Sequence, residues 1–143
     1  MIRRPGDDRG SASIEAAILA LPLLALIAFA VVGGRIQVAG GVIEAAAHDA
    51  ARAASISRTA AEAQTNARAA ARDTLSQQGL HCASLTVTID TAGFAVPVGQ
   101  PADVSATVRC VVDFHDLIAD GIPGSRTMTS TFVSSLDTFR TRT

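Results

Sequence analysis

Few side chains in this 143-residue chain have the type and spacing to do chemistry, and two sets stand out. The first is Gly10, Ser11 and Glu15, at the front of a long apolar run. An ionisable group in such a run costs up to about 3 kcal/mol at a bilayer centre and less at the edge, so it calls for a partner. Cleavage after Gly10 would create a cationic amine at Ser11, about one helical turn from Glu15. That amine could neutralise the carboxylate in its own chain or in a neighbour. The plainer reading leaves Glu15 in the headgroup region, where a negative charge near a helix start suits the dipole. The second set is the lone cysteine pair, Cys82 and Cys110. In an exported domain such a pair is more often a disulfide than a metal site. The rival metal set, His81, Cys82, Cys110 and His115, is poor because adjacent residues point to opposite faces of a strand. No metal is assigned. His48, alone on an Ala-rich helix, reads as solvated.

Other chemistry finds no support. There is no G-x-S-x-G, no H-E-x-x-H and no glycine-rich phosphate loop, so no catalytic residue and no cofactor is assigned and the chain does not read as an enzyme. Net charge is −1, which recruits no nucleic acid. Trp and Tyr are absent, so stacking platforms for bases or sugars cannot be built. Every basic residue is Arg, which with the abundant Ala reads as codon bias.

The element that must position Glu15 is the apolar stretch itself. Residues 16–34 carry no charge. As a helix they span roughly 28 Å, close to the hydrocarbon thickness of a bilayer. The run exceeds the roughly 7–15 residues of a secretory h-region and no A-x-A site comes after Gly34, which favours an anchor over a signal peptide removed behind the run. Arg3-Arg4 invites a twin-arginine reading, but Asp7 and Asp8 come next. Arg3, Arg4 and Arg9 precede the span and Arg35 lies just beyond it, so the positive-inside bias points the N-terminus to the cytoplasm. Pro22 removes one helical N–H and collides with the carbonyl of Ile18, predicting a kink. Gly33-Gly34 and Gly40-Gly41 are candidate hinges.

Beyond the span, residues 37–54 predict an Ala-rich helix whose small residues, Gly41, Ala45, Ala46, Ala50, Ala53 and Ala54, would let a partner helix approach closely. Val42, Ile43 and Ala47 widen that stripe. Residues 55–58 predict a break, and Thr59 with Glu62 forms a capping box. A second helix runs to about Gln78, with Ala60, Ala63, Ala67, Ala70, Ala71 and Leu75 on one face and Gly79-Leu80 as its stop. A continuous helix from Ile14 to Gln78 is the rival. After Cys82 the period becomes two. Leu85, Val87 and Ile89 mark one strand. Val104, Ala106, Val108, Cys110, Val112 and Phe114 mark a second, and Met128, Phe132 and Leu136 a third. The fold class is α+β: a long N-terminal transmembrane helix continuing into the Ala-rich helix, then a second helix packed on a three-stranded antiparallel sheet. Pairing apolar with apolar places Leu85 opposite Val108 and Ala83 opposite Cys110, with Cys82 off the regular ladder.

The string Arg9-Gly10-Ser11-Ala12-Ser13-Ile14-Glu15, leading into an apolar run, resembles the class III signal of type IV pilins and pseudopilins. The closer resemblance is to the TadE-like family of the tight-adherence (Flp) pilus system, with its short basic leader, G-x4-E, and an apolar run interrupted by proline, here Pro22. Residues Ala46-Ala47-His48-Asp49-Ala50-Ala51-Arg52-Ala53-Ala54 look like that family's juxtamembrane portion. Many Flp-type signals place Tyr after the Glu, where this chain has Ala16. The major pilins are also much shorter, which favours the minor class.

The resemblance implies processing by a prepilin peptidase between Gly10 and Ser11, and a subunit-docking role for Glu15. It implies pilin-like or pseudopilin subunits, assembly-platform proteins and membrane lipid as partners. The implied organisation is a cytoplasmic leader (residues 1–10), a transmembrane pilin-like segment (11–35), an Ala-rich helical region (36–80) and a small extracytoplasmic β-rich domain (81–143), with a surface pilus as a further place it could occupy. The alternative function is an uncleaved, signal-anchored extracytoplasmic binding domain.

Overall fold

The computed structural model of the chain describes residues 9–117, 123–139 and 141. Arg3, Arg4 and the rest of the leader up to residue 8 lie outside the described residues, as do the side chains of residues 9–13 and part of the turn between the last two strands. The chain divides into two compact units, Met1–Gly34 and Arg35–Thr143.

One helix, α1 (Arg9–Ser55), is unbroken through Pro22 and through both glycine pairs. Apart from the helix's own nearby backbone, no atom lies within 4 Å of where a Cβ would stand on any of these four glycines, so they meet open space rather than a packed neighbour. In the first unit the helix is apolar all round. An 18-residue window reaches mean hydropathy 2.7 with none of it buried, so by length and composition it is fit to cross a membrane.

In the second unit α1 ends at Ser55. Ser55 Oγ and Ser57 Oγ donate to the carbonyls of Arg52 and Ala53, which satisfies part of the helix end. Helix α2 (Ala60–Gln77) starts on Thr59, whose Oγ1 accepts from the N–H of Glu62 at 3.1 Å. The reciprocal arm of the cap is shifted by one: Glu62 Oε2 accepts from the N–H of Arg58, at 3.2 Å, rather than from that of Thr59. The stop is a Schellman turn. Gly79 takes φ +67°, its N–H donates to Ser76 O, and the N–H of Leu80 donates to Leu75 O. The break at residues 56–59 excludes a single helix to Gln78.

Two polar ties fix how the helices run. Thr74 Oγ1 donates to Asp49 Oδ2 at 2.7 Å, and Asn66 Nδ2 donates to Ser57 Oγ at 3.0 Å. The later residue falls as the earlier one rises, so α2 runs antiparallel to the end of α1. The facing surfaces are nearly all methyl groups. Ala39, Ile43, Ala46, Ala47, Ala50, Ala51 and Ala54 of α1 are buried, as are Ala63, Ala67, Ala71 and Leu75 of α2. Side chains this short let two helix backbones and a sheet share one thin core. Gly41, Ala45 and Ala53, expected on the packing stripe, are not in this set; Gly41 and Ala45 are exposed and Ala53 is half-buried. The buried stripe packs within the chain, so these alanines are not the surface offered to another subunit.

The sheet is antiparallel in the order β1 (Ser84–Asp90), β2 (Asp103–Asp113), β3 (Ser125–Ser135). Alternate residues of β2, from Val104 to Val112, are buried beneath the helices, and α2 packs on β1. On the same face, at the β3 end of the sheet, His48 of α1 meets Phe132 of β3 edge to face, with ring centres 4.5 Å apart. His48 is thus half-exposed and packed rather than merely solvated. The register pairs Leu85 with Cys110 and Val87 with Val108, two residues from the expected pairing. A shift by two keeps every side chain on its own face, so alternation cannot detect it.

Two glycines hold the ends of β2. A Cβ on Gly93, in the short 3-10 turn Ala92–Ala95, would collide with the Asp103 carbonyl and touch Leu136. Gly124, at φ +125°, lies against the Phe114 ring, and its carbonyl accepts from the N–H of Phe114.

Candidate functional site

The helical backbone from Arg9 puts Ser11 and Glu15 four residues apart, one turn along the same face. Glu15 is exposed and sits beside Ile14, Ile18 and Leu19, which line a shallow hollow with it. Among the described residues no cation lies within ion-pair distance of its carboxylate. The described side chains beside it are hydrocarbon, so a neutralising group would be favoured wherever water is removed.

The residues after Glu15 decide where this helix can live. Ile18, Leu19, Leu21, Leu23, Leu24, Leu26, Ile27, Phe29 and Val31 are all at least half exposed, and Phe29 reaches 77%. They project in every direction around the axis, leaving no polar face. At about 1.5–3 kcal/mol for each large side chain, leaving all nine in water would cost roughly 13–27 kcal/mol, more than most domains have in total stability. Lipid or other apolar helices must therefore cover this surface. Pro22 lies within it, and its lost N–H falls inside a segment that remains helical.

Cys82 and Cys110 are bonded, with Cα atoms 5.4 Å apart. Cys110 is fully buried within β2, and Cys82 stands off the β1 ladder before Ser84. Both sulfurs are consumed by the bridge, so neither can serve the metal set with His81 and His115. Beside it Arg72, Leu75, Ser76, Leu80, His81 and Leu85 line a shallow cleft of about 280 Å³. This arrangement closes the gap between α2 and the first strand. Ser76 in the lining of the cleft turns back to its own helix, its Oγ donating to the carbonyl of Asp73 at 2.9 Å.

Sequence reasoning missed two contacts. Ser57, almost fully buried, links the end of α1 to α2 through Ala53 and Asn66. The only signal was a serine in a short interhelical turn. The contact between His48 and Phe132 joins residues 84 positions apart, and no local pattern marks it.

Among the described residues, one apolar span joined to a disulfide-bonded α+β unit fits the class of single-pass membrane proteins. Within that class, the family model described as TadE-like protein matches residues 10–52, covering the G-x4-E motif, the apolar span and the Ala-rich continuation. That is the family its motif resembles. No curated protein and no solved structure matches the chain. The family match and the exposed apolar helix together fit a membrane protein associated with the tight-adherence pilus.

Proposed function

We propose that the chain is a structural or assembly component of a tight-adherence pilus or its secretion apparatus, processed by a prepilin peptidase after Gly10. Cleavage frees the amine of Ser11. Glu15, one turn away on a helix with no polar face, pairs with that amine in its own chain or in a neighbouring subunit and sets the register of docking. Pilin-like subunits and assembly-platform proteins cover the apolar surface of residues 18–31 when lipid does not. The N-terminus faces the cytoplasm and the disulfide-bonded unit lies outside. The observation that carries this reading is the coincidence of G-x4-E with a helix exposed on all sides inside the matched residues 10–52.

The test is the N-terminal mass of full-length chain extracted from membranes, with and without the peptidase. A chain starting at Ser11 only when the peptidase is present supports the proposal. An intact leader with normal pilus assembly refutes it and favours an uncleaved, anchored binding domain. With processing intact, Glu15→Ala is expected to abolish assembly while leaving membrane insertion unchanged.

A further inference from the structure

The sheet stops at β3. Among the described residues no strand pairs with its outer side, although β3 is eleven residues long and the innermost strand, β2, is no longer. The ladder determines which groups are left over. Just beyond the two ends of β3 the N–H of Leu136 donates to Ala102 O, and the carbonyl of Gly124 accepts from Phe114. Register is continuous between these points, so even-numbered residues of β3 bond to β2. Thr127, Thr129, Thr131 and Val133 turn their N–H and C=O groups outward. Natural edges are blunted by proline, lysine, bulges or inward charges. This edge has neither proline nor lysine, its register has no bulge, and its one charge is Arg126.

We propose that two copies of this chain join edge to edge through β3, antiparallel about Ser130, to make one six-stranded sheet. This register is the one that pairs all eleven residues. It pairs the odd-numbered residues by hydrogen bonds, Thr129 with Thr131 and Thr127 with Val133, and these are the residues with outward groups. It also places Met128 opposite Phe132 of the second copy, twice, in the close non-hydrogen-bonded positions. Both side chains lie on the inner face and are incompletely buried in one copy, Phe132 at 38% exposure. Arg126 meets Ser134, so no like charges face each other. The edge of β1 offers less: it is seven residues long and ends in Asp90.

The test uses full-length chain in membranes. Ser130 faces its own copy across the two-fold in a non-hydrogen-bonded pair, where Cα atoms are about 4.5 Å apart, within the range of a disulfide. Ser130→Cys is therefore expected to give a cross-linked homodimer under mild oxidation, at least about tenfold above Ser134→Cys, whose two copies would lie roughly 26 Å apart. Ser134→Cys mixed with Arg126→Cys should restore a cross-link between the two variants. Adding Thr131→Pro to Ser130→Cys should abolish the dimer, because that N–H points away from β2 and its loss leaves the monomer's ladder whole. A retained Cys82–Cys110 bridge in that variant reports that it has folded. No Ser130→Cys homodimer above the Ser134→Cys level, or one that persists with Thr131→Pro, overturns the proposal. So does an adduct of Ser130→Cys with a different protein alone. The result is read equally in uncleaved chain, so it stands or falls apart from leader processing.

Discussion

Removing the bridge between Cys82 and Cys110 tests how a unit with so slender a core stays folded. The bridge spans a sequence separation of 28. In the chain-entropy model, closing a loop of that length removes denatured-state freedom worth about 3.6 kcal/mol at 25 °C. For a unit of this size a kilocalorie shifts the midpoint by roughly 4 °C, so loss of the bridge should lower Tm by about 15 °C. Cys82→Ala is the cleaner perturbation, because Cys82 stands off the ladder and Cys110 keeps its buried sulfur in place. Far-ultraviolet circular dichroism of the detergent-solubilised full chain tracks the transition, comparing the variant with the oxidised and the reduced parent. Reduced parent and Cys82→Ala should melt together, well below the oxidised form. A drop of less than about 5 °C in both would refute the chain-entropy account and move the stability to the packed helices.

Three further substitutions probe the same unit. Ala67→Leu forces a larger side chain into a fully buried position and should cost about 1–3 kcal/mol, read as a lower urea midpoint with unchanged slope. Gly93→Ala puts a methyl group against the Asp103 carbonyl and should destabilise by a similar amount, about 1–3 kcal/mol, with faster hydrogen exchange at the paired ends of β1 and β2. Thr59→Ala deletes the cap on α2 and should cost about 1 kcal/mol in chemical denaturation, whereas Thr59→Ser should cost little.

Much of this architecture was legible because local rules and tertiary contacts agree. Thr59 with Glu62 marked the start of α2 and Gly79-Leu80 its end, since each satisfies backbone groups that no other residue nearby can reach. The switch to a period of two after Cys82 placed all three strands. The register of β1 on β2 was not legible, because pairing Leu85 with Val108 or with Cys110 keeps the same face inward. The role of the alanines was only half legible. Small residues permit close approach to any helix, and nothing local tells an internal partner from an external one. Ala46, Ala50 and Ala54 packed inside, and Ala45 did not. At the front of the chain the G-x4-E spacing was plain, and the structure adds that the helix behind it has no polar side.

Among the described residues more than half of the buried hydrophobic ones are alanine, and this has a thermal consequence. The heat capacity of unfolding scales with the hydrocarbon surface newly wetted, at about 0.45 cal/mol/K for each square ångström. Methyl-sized side chains wet little, so this unit should unfold with a heat-capacity increment below the usual value of about 12–15 cal/mol/K per residue. Its free-energy curve against temperature should then be shallow, holding a modest but even stability from cold to warm.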